Sequence, residues 1–193
     1  MYEYFNGKLA YKAPTHVVID VSGIGYYVHI SLYTFSQIKD QENCKLFISL
    51  QVREDSHTLY GFATEGEKKL FENLISVSGI GPNTGRMILS SNTPDEIQSA
   101  IVNGQVALIQ KIKGIGPKTA QRLILELQDK LKKQGFEALA SPIQSQSVPD
   151  EALSALVMLG FNKVAAEKVL NTILKTESNL SVEDMIKLAL KRL

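Results

Sequence analysis

The pattern of apolar and polar positions changes its period once, near residue 63. Before that point, short runs rich in β-branched and aromatic residues alternate with turn residues, which predicts strands. Val17–Val21 and Tyr26–Ile30 are two of them, with Ser22-Gly23-Ile24-Gly25 between as a hairpin turn. Tyr4–Tyr11, Lys45–Val52 and Thr58–Phe62 complete a set of five. Five short strands with intervening turns predict a small closed barrel of OB type, with a plain sandwich as the alternative.

From Glu65 onward the spacing becomes helical. Leu70, Phe71, Leu74 and Ile75 fall on one face of a helix. Thr93-Pro94-Asp95-Glu96 is a helix start with a capping box, and Asn103-Gly104 ends that helix. A long helix is predicted from Pro117 to about Gln134, with Gly135 as its stop. The run 141–149 is uncharged and poor in apolar residues, so 136–149 reads as a tether. Three short helices follow, over Asp150–Leu159 with Gly160 as stop, from Asn162 to about Lys175, and from Ser181 to the end. The predicted division is 1–63, 64–135, 136–149 and 150–193.

One segment occurs twice. Val77-Ser78-Gly79-Ile80-Gly81-Pro82-Asn83-Thr84-Gly85 returns 35 residues later as Ile112-Lys113-Gly114-Ile115-Gly116-Pro117-Lys118-Thr119-Ala120. Each copy follows a short apolar helix and opens another, the helix-hairpin-helix pattern. The glycines permit a tight turn without side chains in the way, and proline suits the first helical position. Backbone N–H groups at the new helix start, at the positive end of its dipole, can bind a phosphate without reading a base. Candidate DNA-binding residues are Gly79, Gly81, Asn83, Thr84 and Arg86 in the first copy. In the second they are Lys113, Gly114, Gly116, Lys118, Thr119 and Arg122. The alternative, a plain helix–helix turn, has more weight for the first copy, where Asn83 stands in place of Lys118. Gly23-Ile24-Gly25 lies between strands and reads as a hairpin turn only.

Charge sharpens this picture. The formal net charge of +1 is uninformative about nucleic acid, but no acidic residue occurs from Ile97 to Leu125, a window holding Lys111, Lys113, Lys118 and Arg122. No apolar run is long enough for a bilayer, and the start lacks a secretory pattern, so a cytoplasmic protein is expected. The single cysteine, Cys44, lies in an apolar strand and reads as core.

Taken together, the barrel, the paired hairpins, the tether and the terminal helices resemble the RuvA family, the Holliday-junction-binding subunits of the bacterial branch-migration complex. Val52-Arg53-Glu54-Asp55 and Leu59-Tyr60-Gly61-Phe62 match the family's close of the first domain. The resemblance covers essentially the whole chain. It implies an OB-type barrel, tandem helix-hairpin-helix motifs and a C-terminal three-helix, UBA-like unit. It further implies a homotetramer, single or as two facing tetramers, on four-way junction DNA, in recombination, repair and the SOS response. Glu54 and Asp55 match the family's acidic pin; from the residues alone they are a solvated turn tip. The C-terminal unit would dock on the hexameric ATPase RuvB, with Leu156, Leu159, Phe161 and Leu170 as the apolar contact or, alternatively, as that unit's own core. The RuvC resolvase is a further implied partner. Asn83 departs from the lysine often found in the first hairpin.

No nucleotide-binding Gly-x-x-x-x-Gly-Lys-Ser/Thr loop is present, so the chain is expected not to be an ATPase. His16, His29 and His57 have no metal-ligand spacing, and no metal or cofactor is expected. Two rivals remain: a metal-dependent nuclease using Glu54 and Asp55, and a duplex-binding module without junction preference.

Overall fold

The computed structural model describes residues 1–38, 42–140, 148–176 and 180–192. The first five strands are β1 (Tyr4–Ala13), β2 (His16–Val21), β3 (Ile24–Ile30), β4 (Asn43–Val52) and β5 (His57–Phe62). They close into a barrel in the order β1-β2-β3-β5-β4. All pairs are antiparallel except β3 with β5, which meet in parallel at His29–Tyr60 and Ile30–Gly61. Closure settles barrel against sandwich. Alternation does the rest: Val17, Ile19, Val28, Ile30, Leu46 and Ile48 point inward and are buried. The β2–β3 turn is tighter than the sequence predicts. Ser22 and Gly23 both take positive φ, 55° and 88°, the primed turn that matches strand twist, so β3 starts at Ile24.

A short helix, α1 (Leu32–Gln37), stands between β3 and β4. Six residues are too few for a periodic signal, so the sequence pattern does not predict this helix. Its cap was legible: the Ser31 side chain accepts from the Thr34 N–H at 2.9 Å.

The helices that follow are α2 (Glu65–Ser76), α3 (Pro82–Ser91), α4 (Pro94–Val102), α5 (Val106–Gln110) and α6 (Pro117–Ala140). The capping box at Thr93 and Glu96 forms as predicted, and Gly104 takes positive φ after α4. The barrel and these helices belong to one compact unit, Met1–Glu137. Tyr60 and Phe62 of β5 pack into the same buried cluster as Leu70, Phe71, Leu74, Ile88 and Leu123. The ring centroids of Phe62 and Phe71 lie 4.8 Å apart.

A buried carboxylate ties the barrel to α2. Glu67, 1% exposed, accepts from Ser31 Oγ at 2.7 Å, from Thr34 Oγ1 at 2.8 Å and from the Ala63 N–H at 3.1 Å. Burial pushes its pKa up; the hydrogen bonds from Ser31, Thr34 and Ala63 work the other way.

Helix α6 runs past its predicted stop to Ala140. An internal glycine costs a helix only about 1 kcal/mol, and the residues after Gly135 include Glu, Ala and Leu, all good helix formers. The next helix, α7, begins at Val148, with Pro149 in its first turn where proline is tolerated. The expected tether is thereby cut at both ends, and 141–147 lie outside the described residues.

The second compact unit is Ala138–Leu193. It contains α7 (Val148–Met158), α8 (Lys163–Thr176) and α9 (Val182–Leu190). Gly160 ends α7 at φ 95°, and the Phe161 N–H reaches back to the Leu156 carbonyl at 3.1 Å. The core is Ala152, Leu156, Ala166, Leu170, Ile173, Met185 and Ala189. Leu156 and Leu170, expected either as partner contacts or as the unit's own core, are 0% and 3% exposed and belong to that core. Both lie on the inward faces of amphipathic helices, which the unit needs to fold at all. Leu159 is 61% exposed, and Phe161 is half-buried against the cluster.

Candidate nucleic-acid interface

The two copies of the repeat adopt the same backbone, bond for bond. In the first, the Val77 N–H donates to the Leu74 carbonyl (3.2 Å), Ile80 to Val77 (3.0 Å) and Gly85 to Gly81 (2.9 Å). In the second, Ile112 donates to Ile109 (3.2 Å), Ile115 to Ile112 (3.1 Å) and Ala120 to Gly116 (2.9 Å). Gly79 and Gly114 take φ of 93° and 92°, a region costly for any side chain. Val77, Ile80, Ile112 and Ile115 are buried and hold the loops from below. A methyl group on Gly81, Gly114 or Gly116 would meet nothing within 4 Å, so the backbone there is open to an approaching group. No side chain caps α3 at Gly81, leaving its first N–H groups without an intrahelical partner. The loops are neighbours: a methyl on Gly79 would lie 3.9 Å from Thr119 Oγ1.

The side chains around these equal backbones differ. At the 35-residue offset, Lys113, Lys118 and Arg122 correspond to Ser78, Asn83 and Met87. All three cations of the second hairpin thus have neutral counterparts. Lys113 and Lys118 are exposed and form no ion pair among the described residues. Arg122 does, with Glu126 at 2.7 Å. Glu126 is the first acid after the acid-free window, and its i,i+4 spacing from Arg122 was legible.

Arg86 is not the counterpart of Arg122; Gln121 is opposite Arg86. Its Nη1 donates to the Thr15 carbonyl at 3.0 Å, so the guanidinium is directed at the β1–β2 turn. Arg86, expected as a phosphate ligand of the first hairpin, is thus engaged with the barrel in this structure. Asn83 is also fastened to the barrel, its Oδ1 accepting from Tyr60 Oη at 3.3 Å.

Glu54 and Asp55 form the exposed tip between β4 and β5. Arg53 and Ser56 close the turn beneath them, N–H to carbonyl, at 2.8 and 3.4 Å. A polar cleft of about 280 Å³ lies between this turn and the start of α3, lined by Gln51, Arg53, Ser56, Thr58, Tyr60 and residues 81–84. Arg53 and Tyr60 are not among the site residues that the sequence predicts, although Arg53 directly precedes the acidic pair. Among the described residues, no three His, Cys, Asp or Glu side chains cluster to hold a metal.

Three family models match the chain: RuvA N terminal domain over residues 1–61, SAM-like helix-hairpin-helix tandem over 71–129, and RuvA, C-terminal domain over 147–193. A relative from Cytophaga hutchinsonii, Holliday junction branch migration complex subunit RuvA, is 52% identical, with 99% of each chain covered. Proteins of the same name from Christiangramia forsetii and Bacteroides thetaiotaomicron are 51% and 48% identical over the full length of both chains. The chain belongs to the RuvA family. The RuvA N-terminal match ends at residue 61, one residue before the end of β5, and the helix-hairpin-helix match contains both loops entire. Among the described residues, no helix is long and apolar enough to cross a membrane.

Proposed function

We propose that the chain is the non-catalytic, junction-binding subunit of a branch-migration complex. It grips the arms of a four-way DNA junction and holds it open while a separate ATPase, RuvB, moves the strands. The observation that carries this reading is the pair of adjacent hairpins with one backbone geometry, the second ringed by Lys113, Lys118 and Arg122. Such contacts hold phosphates and carry no sequence information, which suits a protein that must move along any sequence. The names of its full-length relatives point the same way.

In this reading a homotetramer, single or doubled face to face, presents Glu54 and Asp55 from each subunit at the crossover. There the carboxylates repel phosphates and keep the arms from stacking. Residues 150–193 dock on RuvB through exposed apolar side chains, Leu159 together with Met158 and Val164. The protein works in the cytoplasm, in recombination and repair, and RuvC follows on the same junction.

The test is a competition gel shift. Protein bound to a labelled four-way junction is challenged with excess linear duplex of equal length, with and without Mg²⁺. Retention on the junction without cleavage is expected. Equal competition by linear duplex would reduce the hairpins to general duplex grips, and Mg²⁺-dependent cutting would make the chain a nuclease.

A further inference from the structure

The first hairpin has the backbone of a phosphate site and none of the cations that surround the second. The cleft beside it supplies what is missing. Arg53 is the one charged side chain among the residues lining this cleft. Its backbone is fixed at the foot of the β4–β5 turn by the paired bonds with Ser56. The guanidinium forms no ion pair with Glu54, Asp55 or any other described residue.

Opposite Arg53 stand Asn83 and the open backbone of Gly81. The Tyr60 hydroxyl occupies the Asn83 amide oxygen, which leaves the amide N–H groups to donate. Tyr60 itself is 5% exposed and feels the positive charges of Arg86 and Arg53, although burial raises its pKa overall. No carboxylate lines the cleft. A guanidinium, a side-chain amide, threonine hydroxyls and backbone N–H groups together suit an anion with several acceptor oxygens. At about 280 Å³ the cleft is below the ~300–1,000 Å³ of ordinary small-molecule pockets.

We infer that this cleft binds a DNA backbone phosphate at the first hairpin, with Arg53 providing the cation that the second hairpin takes from Lys118. The inference rests on the DNA-binding function proposed above. It gives the turn two jobs: Arg53 holds a strand at the foot, and Glu54 and Asp55 repel phosphates at the tip. It also accounts for Asn83, which is held by Tyr60 and lets Arg53 bring the charge from the barrel side.

The experiment measures junction affinity of the full chain against salt concentration. Each phosphate neutralised contributes about 0.9 to the slope of log K against log[salt]. Arg53→Gln removes one such contact from every subunit, so in a tetramer it is expected to lower the slope by about four times that amount, and Lys118→Gln in the second hairpin is expected to do the same. Arg53→Lys, which keeps the charge, retains the wild-type slope. Unfolding curves of all variants show whether the fold is intact, and Arg53 is exposed, so no change is expected. If wild type and Lys118→Gln give normal, distinct slopes while Arg53→Gln matches wild type, the cleft proposal falls and DNA binding stands. A slope not restored by Arg53→Lys overturns it equally. If the wild-type protein does not bind the junction at all, the underlying function falls with it.

Discussion

The two hairpins share a backbone and differ in what surrounds it. The second is cationic and has no bond to the barrel among those described. The first lacks counterparts to those cations and is fastened to the barrel at two points, Asn83 to Tyr60 and Arg86 to Thr15. A loop geometry set by glycines and buried apolar residues can thus be kept while the polar residues around it change. One copy carries cations of its own. The other is a joint, and the one charged side chain in the cleft beside it, Arg53, belongs to the barrel.

The most severe test of this equivalence lies in the core beneath the loops. Ile88 and Leu123 are counterparts at the 35-residue offset, and both are 0% exposed in the same cluster. Truncating a buried Ile or Leu to Ala costs about 2–5 kcal/mol. Ile88→Ala and Leu123→Ala should each lose stability in that range, measured by urea unfolding with unchanged m value. A large loss from one and almost none from the other would break the comparison, because the helices would then not bear on the core alike.

A smaller effect separates Gly85 from its counterpart Ala120. Ala120 is fully buried in α6. Ala120→Gly should cost about 1–2 kcal/mol, from helix propensity and the lost methyl burial. The reverse change is not its mirror image. A Cβ on Gly85 would come within 3.0 Å of Ile75 Cγ2 and 3.2 Å of Phe71 Cε2. Gly85→Ala should therefore gain less than the ~1 kcal/mol that propensity alone gives. A full gain in thermal or urea unfolding would mean that α2 and α3 are packed less closely than this.

Much of this was legible in the sequence, and the reasons are specific. The repeat gave both loops because glycine at fixed offsets and flanking apolar residues determine the turn locally. The barrel was legible from alternation, and the capping box from Thr93 and Glu96. Side-chain direction was not legible. The one-position offset that turns Arg86 by about 100° relative to Arg122 is in the sequence, but that this directs it at the barrel is seen only in the fold. Leu156 and Leu170 could serve surface or core until their helices were paired. The stop at Gly135 failed because glycine only weakens a helix whose neighbours favour it. Glu67 gave no signal, since its partners Ser31 and Thr34 are more than thirty residues away.

That residue offers the finest test, a dependence on pH more than a loss. Glu67 belongs to the barrel–helix joint on the first hairpin's side, with no counterpart near the second among the described residues. Burial raises its pKa in the fold above the value in the unfolded chain. The folded state therefore holds its proton more tightly. As pH rises through the ordinary carboxylate range, the unfolded chain ionises freely while the fold resists, and stability falls. The fall ends above the folded pKa, where both states are ionised. Glu67→Gln keeps the shape but cannot ionise, so it does not share that fall. Urea unfolding at a series of pH values from 4 to 8 should show the Gln variant's deficit against wild type narrowing as pH rises. A deficit constant across the series would mean that the hydrogen bonds from Ser31, Thr34 and Ala63 fully offset the burial. The joint would then hold its carboxylate without a net electrostatic cost, and a buried charge would no longer distinguish the first hairpin's anchorage from the second's.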